Sequence, residues 1–253
     1  MNSFGHFNEN GSEYIITTYD TPRVLMNYMW NDRFFSGVNH FGGGEGSYIW
    51  TACFIDPMER GRADLIAGGN RYFYIRDEDS GEYWNPGWYP CKTRLDYYRC
   101  THGLGYTVIE GRQNGISVTL RVYVNDQHPA EIWKIQVKNH SSNPRHLRIY
   151  SFVEFSLLGY QQYCGMQAYS YCIFDEERNM VVALNRSDEI PHEQYSGFIC
   201  SSEKVTGYDS SKHKFIGKYN NISAPEVVVC QENVRIAWHV MNNLLEFWRI
   251  LSN

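Results

Sequence analysis

The sequence lacks the charge and hydropathy features that mark nucleic-acid-binding proteins and membrane proteins. Its 23 basic and 28 acidic residues give a formal net charge of −5, and the basic residues form no block of the kind that follows a phosphate backbone. No run of about 18 apolar residues occurs. The first residues, MNSFGHFNENGSEY, have neither the basic region nor the apolar region of a signal peptide. These absences predict a cytoplasmic chain with no nucleic-acid partner and no membrane span.

Motifs for metal ions and disulfides are also missing. The seven cysteines are an odd number with no pair at C-x-x-C spacing, and no histidines form H-x-H or H-E-x-x-H. A zinc site and a disulfide framework are therefore disfavoured, and scattered free thiols are typical of a reducing cytoplasm. We expect no metal site and no resident cofactor.

Aromatic residues and β-strand patterns are abundant instead. The chain has 20 Tyr, 13 Phe and 7 Trp, and shows no convincing helical periodicity between residues 11 and 230. Runs of β-branched and aromatic residues predict strands at Tyr14–Thr18, Tyr72–Arg76, Gly105–Glu110, Ile116–Val124, Glu131–Val137 and Leu147–Phe155. Asn114-Gly115 predicts a hairpin turn, and the last four strands suggest an antiparallel meander. The predicted fold class is all-β, a large antiparallel sandwich.

Two loops and the C-terminal segment depart from this pattern. Phe41–Gly46 and Trp84–Pro90 are rich in Gly, Pro and aromatic residues, and we expect them to be long loops of the kind where binding residues gather. From about Val234, apolar residues recur at helical spacing, which predicts a short amphipathic C-terminal helix.

No residue pattern assembles a catalytic site. His102 could act as an acid or base, or could be a structural histidine that bonds the backbone. Hydrolysis of a glycoside needs two nearby carboxylates, and the acidic residues of the sandwich region are too scattered to pair from sequence: Asp56, Asp77, Asp79, Asp96, Glu131 and Glu154. Glu131 and Glu154 lie inside strand patterns, where a structural role is the alternative.

Four segments in order resemble the phosphorylases of glycoside hydrolase family 94, formerly glycosyltransferase family 36, such as cellobiose and laminaribiose phosphorylases. They are NRYFYIRD at Asn70–Asp77, YWNPGWYP at Tyr83–Pro90, CTHGLGYT at Cys100–Thr107 and YSFVEF at Tyr150–Phe155. The resemblance runs from about Gly5 to Val228. It implies a galactose-mutarotase-like supersandwich, followed in the family by a helical linker, an (α/α)6 barrel and a small C-terminal sheet domain.

The resemblance also implies a reaction that this chain does not perform alone. Family members carry out inverting phosphorolysis, in which a β-glucosyl disaccharide and inorganic phosphate, the co-substrate, give glucose 1-phosphate and glucose. The general acid and the phosphate site belong to the barrel, so no position here inherits a catalytic role. The chain alone is expected to be inactive.

By the same resemblance, the sandwich forms a homodimer, and a loop after the FVEF strand reaches the partner's active site beside the acceptor sugar. Where cellobiose phosphorylases carry Phe-Gln-Arg-Asn, this chain has Met166–Ser170, without the arginine. Met166, Gln167 and Tyr169 are therefore the candidate acceptor contacts, or else residues that only pack the loop. The WNPGW and GYQQY segments are closer to laminaribiose-type members.

Trp84 and Trp88 are the candidate aromatic faces for stacking on sugar C–H groups. Residues 1–230 are assigned to the sandwich domain. Residues 231–253, which depart from the family pattern, are assigned to a divergent helical tail, for which a truncation or a frameshift is the hypothesis. Two alternative functions stay open: a stand-alone saccharide-binding sandwich, and a purely structural dimerisation unit.

Overall fold

The computed structural model of the chain describes residues 4–49, 62–158, 169–186, 196–230, 238–239 and 250–252. In chain order its elements are β1 (Gly5–Phe7), β2 (Glu13–Ile16), β3 (Met26–Trp30), β4 (Phe34–Asn39), β5 (Gly44–Ile49), β6 (Arg62–Asp77), β7 (Tyr83–Trp84), β8 (Tyr97–Gly103), β9 (Tyr106–Gln113), β10 (Ile116–Val124), β11 (Ala130–Asn139), β12 (Leu147–Leu158), β13 (Tyr169–Asp175), β14 (Met180–Arg186), β15 (Ser196–Cys200), α1 (Lys212–Ile216), α2 (Glu226–Val229), β16 (Trp238–His239) and β17 (Ile250–Ser252).

The strands form two antiparallel sheets. A ten-stranded sheet has the order β1-β2-β8-β9-β10-β11-β17-β15-β14-β13, and a seven-stranded sheet has the order β16-β12-β6-β5-β4-β3, with β7 paired to β6. The large apolar cluster of the protein draws buried residues from both sheets. This arrangement confirms the predicted all-β supersandwich.

The β9–β10 hairpin follows from its sequence. Asn114 and Gly115 have φ angles of 49° and 77°, and two residues with positive φ form the turn that matches strand twist. Along β10, Ile116, Val118 and Leu120 are buried while the residues between them are less so. The predicted hairpin is confirmed.

The predicted meander is wrong at its fourth strand. The strands β9, β10 and β11 are neighbours as expected, but β12 belongs to the seven-stranded sheet and pairs with β6. Strand β12 has apolar residues on both faces: Ile149 packs in the core between the sheets, whereas Tyr150 and Phe152 pack in a second cluster. Because both faces of β12 are apolar, the strand must be covered on both sides. A position next to β11 would leave one of its faces on the solvated outer side of the sheet.

That second cluster lies on the outward side of the seven-stranded sheet, beneath α1 and α2. It combines Tyr72, Tyr74, Tyr150 and Phe152 with residues such as Phe215. The Tyr74 hydroxyl donates to the Ile222 carbonyl at 2.8 Å, and Arg76 Nη1 donates to the Val228 carbonyl at 2.7 Å. The segment with the two helices is therefore fastened to the sheet by hydrogen bonds as well as by apolar contact.

The predicted C-terminal helix is not what the described residues show. Most of the segment after residue 230 lies outside the described residues, but Trp238–His239 and Ile250–Ser252 are strands. Strand β16 pairs with β12, and β17 lies between β11 and β15. Open backbone hydrogen-bonding groups on β11, β12 and β15 compete with helix formation, and in the described residues they pair with these two short strands instead.

Candidate functional site

The predicted acceptor loop falls mainly outside the part of the chain that the structure describes. Met166 and Gln167 lie there, and Tyr169 is the first residue of β13, where its backbone pairs with Arg186. The roles of these three residues therefore stay predictions. The end of β12 and the start of β13 belong to different sheets.

The two candidate tryptophans have different environments. Trp84, on β7, has no exposed surface and belongs to the core between the sheets. Its full burial removes it from the set of aromatic faces that a sugar can contact. Trp88 is half-buried at the edge of the same core, so it retains exposed surface where Trp84 has none.

An aromatic cluster surrounds Trp88. Its ring stacks on Tyr19, with centroids 5.1 Å apart and planes 4° apart, and lies 5.5 Å from the ring of Phe41. Tyr89 extends the cluster, 6.0 Å from Phe41. Phe41 and Trp88 come from the two loops that the sequence singles out, so these loops meet at one place on the sandwich.

The loop that carries Trp88 is held in an unfavourable backbone conformation. Trp88 has φ of 78°, a region that bulky residues rarely adopt and that costs free energy unless the surroundings impose it. Asn85 imposes the turn, because its side-chain amide donates to the Phe73 carbonyl and its side-chain oxygen accepts from the Gly87 amide, both at 2.6 Å. A backbone strained at an accessible aromatic residue is typical of a binding site.

A glycine makes the approach of the two loops possible. A Cβ atom on Gly87 would lie 2.0 Å from the Phe41 carbonyl oxygen, a distance no side chain tolerates. Any other residue would push the Phe41 and Trp88 loops apart and open the aromatic cluster.

Two histidines, the buried His40 and the half-buried His102, lie near this cluster. The His40 ring lies 3.8 Å from the Phe41 ring, and its Nδ1 accepts from the Leu25 amide at 3.2 Å. His102 Nδ1 lies 3.0 Å from Thr107 Oγ1. Burial lowers the pKa of both rings, that of His102 to about 4. His102 is thus a neutral, hydrogen-bonded and half-buried residue, which agrees with the structural alternative.

The carboxylates of the sandwich are engaged in structural contacts. Glu131, fully buried on β11, accepts hydrogen bonds from Arg71, Ser36 and Trp133 and joins the two sheets. Glu154 pairs with Lys212 at 2.7 Å. Both carboxylates thus make contacts of the kind described by the structural alternative.

The other candidate carboxylates are similarly placed. Asp77 pairs with Arg145, Asp79 with His146 at 2.9 Å, and the Asp96 side chain accepts from the Asn114 amide at 3.0 Å. Asp56 lies outside the described residues. Among the described residues no group of three or more His, Cys, Asp or Glu is placed to hold a metal ion, and no helix is long and apolar enough to cross a membrane.

Sequence reasoning missed an apolar surface on the ten-stranded sheet. In β13 and β15, Cys172 and Ile199 point into the core, so Ile173 and Phe198 point outward. Val182 on β14 lies between them in register and joins them in one row. We call these three residues the aliphatic face; Ile173 is 50% exposed. The signal in the sequence is the alternation of inward and outward residues along 173–175 and 197–199. It can be interpreted only once the strand register is known.

The two packed sheets define an all-β supersandwich, and the comparisons with known proteins agree. The model of the supersandwich domain of glycosyl hydrolase 94 matches residues 12–240. The chain belongs to this family. The resemblance predicted from the four sequence segments is confirmed.

Three curated relatives are phosphorylases. The chain is 52% identical over 230 residues to solabiose phosphorylase of Paenibacillus borealis, covering 90% of this chain and 30% of the relative. It is 30% identical over 230 residues to N,N'-diacetylchitobiose phosphorylase of Vibrio proteolyticus, covering 89% and 28%. It is 28% identical over 234 residues to 3-O-β-D-glucopyranosyl-β-D-glucuronide phosphorylase of Paenibacillus borealis, covering 89% and 28%. The chain thus spans 28–30% of the length of these three relatives.

Proposed function

We propose that this chain is the N-terminal carbohydrate-binding and dimerisation domain of an inverting β-glucoside phosphorylase. The observation that carries the proposal is the 52% identity to solabiose phosphorylase across 90% of the chain. The parent reaction converts a β-linked disaccharide and inorganic phosphate to a sugar 1-phosphate and a free sugar, glucose 1-phosphate and glucose for a glucosyl glucose. The relatives differ in the disaccharide that each is named for, so solabiose, laminaribiose and cellobiose are the first substrates to compare.

In this proposal the chemistry belongs to the part of the relatives that the chain does not span. There a general acid protonates the glycosidic oxygen, while phosphate attacks the anomeric carbon from the opposite side and replaces the water of an inverting hydrolase. The sandwich contributes positioning. Trp88 offers an aromatic surface to sugar C–H groups, and Met166, Gln167 and Tyr169 face the acceptor sugar in the partner's active site.

A chimera tests this proposal. Residues 1–230 of this chain would replace the corresponding region of the Paenibacillus borealis solabiose phosphorylase, and phosphate consumption would be measured with the three disaccharides. We expect an active chimera whose Trp88→Ala variant has a raised KM, with Tyr219→Ala, an exposed residue outside the cluster, as the matched control. A folded chimera without turnover would contradict the assignment.

The aliphatic face supports the dimerisation part of the proposal. Ile173, Val182 and Phe198 form an apolar row across three strands, and no described strand pairs with the outer side of β13. Apolar residues on a solvated sheet face mark an interaction site, and an open edge can pair with its copy about a two-fold axis. Multi-angle light scattering of the chain is expected to give the mass of a dimer, and a monomer at all concentrations would exclude this interface.

A further inference from the structure

Two of the most exposed aromatic side chains on the strands lie side by side on β3, far in sequence from the Trp88 loop. Trp30 is 63% exposed and Tyr28 is 51% exposed. Both point outward, because Met29 between them is buried in the core and Asn27 turns inward, where its side-chain amide donates to the Gly103 carbonyl at 3.0 Å. Strand β3 is the edge of the seven-stranded sheet.

The strand register adds a third ring to this surface. Trp30 lies opposite Phe35 on β4, and Tyr28 lies opposite Gly37. The Tyr28 and Phe35 rings stack, with centroids 5.7 Å apart and planes 25° apart. Gly37 adds no side chain to the outward face, so nothing at that position projects over the Tyr28 ring. Tyr28, Trp30 and Phe35 together are called the aromatic platform.

The backbone beneath the platform is fixed. Asn31 closes the turn between β3 and β4, because its side-chain oxygen accepts from the amides of Arg33 and Phe34 at 2.8 and 2.7 Å. Its side-chain amide donates to the carbonyls of Asn125 and His128 at 2.7 and 2.9 Å, which ties the turn to the connection between β10 and β11. Rings on a rigid strand lose little conformational entropy when a ligand binds.

The chemistry of the platform favours a saccharide over a protein. All three of its side chains are aromatic, whereas two of the three residues of the aliphatic face, Ile173 and Val182, are not. The exposed charged residues Asp32 and Arg33 border it and can hydrogen-bond hydroxyl groups. A β-linked glucosyl unit has its hydroxyls equatorial and its C–H bonds axial, so each ring face is apolar and its rim is polar, complementary to such a platform.

We infer that the aromatic platform of Tyr28, Trp30 and Phe35 binds the C–H face of a β-linked gluco-oligosaccharide. This site goes beyond the proposed phosphorylase function, since it needs neither phosphate nor the acceptor loop. Adjacent rings contact successive glucosyl units, so longer oligosaccharides bind more tightly than a disaccharide.

Isothermal titration of the 253-residue chain with cellohexaose and laminarihexaose tests the inference, with maltohexaose as the α-linked comparison. We expect saturable binding of a β-linked hexaose and about ten-fold weaker binding after Trp30→Ala or Tyr28→Ala. Phe7→Ala is the matched control, because Phe7 is 65% exposed on β1 of the other sheet. The platform is read from the affinity of the chain for the hexaoses, whereas the role of Trp88 is read from disaccharide turnover by the chimera, which separates the platform from the site of the proposed function.

The outcomes are distinct. Circular dichroism first verifies that each variant is folded. A folded chain that binds neither β-linked hexaose overturns the inference, as does an unchanged affinity in Trp30→Ala. A change of oligomeric mass in Trp30→Ala, with no change in sugar binding, would mean that the platform contacts protein instead.

Discussion

Side chains between the two sheets and side chains on the outward faces of the sheets differ in how completely their chemical groups are matched by partners. Between the sheets, even a charged group such as Glu131 is surrounded by donors. On the outward faces, Ile173 and Trp30 are apolar and largely exposed. The interior thus accounts for the stability of the domain, whereas the unmatched outward residues indicate its partners. Substitutions in the two regions are therefore expected to affect different measurements.

The largest effect on stability is expected at Glu131. Glu131→Gln leaves the Arg71 guanidinium, which is 2% exposed, without a counter-charge, and breaking a buried pair in this way costs about 3–5 kcal/mol. Urea denaturation should show this loss of unfolding free energy. Glu110→Gln, on the outward side of β9 where Glu110 is 38% exposed, is the control. Equal losses in the two variants would erase the distinction between the regions.

The next effect on stability is expected at His102 and His40, and it depends on pH. Burial lowers the pKa of His102 to about 4 from an ordinary value of 6.5, so between these values the unfolded chain binds more protons than the folded one. The contribution of His102 to the free energy of unfolding is therefore fully present above pH 6.5. It is lost as the pH falls towards 4, by up to about 3 kcal/mol. His40 has a pKa lowered in the same direction and adds to the slope.

Unfolding free energies measured between pH 7 and 4 test this dependence. His102→Asn is expected to flatten the curve, and His6→Asn, an exposed histidine on β1, should retain the slope. An equally steep curve without His102 would show that another group causes the acid sensitivity.

A smaller effect on stability, with a large effect on association, is expected at the aliphatic face. Ile173→Asp should change the unfolding free energy of a monomer by about 0.5 kcal/mol or less, while it converts a dimer to monomers in light scattering. Thr119→Asp, on the outward side of β10, is the control. A dimer that persists in Ile173→Asp would place the interface elsewhere.

The class of fold was predictable from the sequence because the patterns that indicate β-strands are local. Alternation along Ile116–Val124 and the Asn114-Gly115 turn are sufficient for a hairpin, and both are confirmed. The sheet to which β12 belongs was not predictable in this way, because its partner β6 lies some 70 residues earlier and pairing depends on the whole fold. The C-terminal tail shows a related limit, since its apolar spacing suits a helix or a strand.

The site was predictable only in part. The loops of Phe41 and Trp88 were expected to hold binding residues, and they meet in one aromatic cluster. Trp84, four residues earlier, is buried, and composition alone does not separate these two tryptophans. The platform and the aliphatic face escaped prediction because an outward position is defined by strand register, which long-range pairing decides.

The central claim is that this domain positions a sugar while the chemistry belongs to the part of the relatives that it does not span. Phosphate consumption or release by the purified 253-residue chain tests it most directly, with solabiose, laminaribiose and cellobiose, and with glucose 1-phosphate plus glucose in the reverse direction. The account predicts no turnover by a chain shown to be folded. Turnover that disappears when a carboxylate of this chain is replaced, with the fold retained, would contradict it.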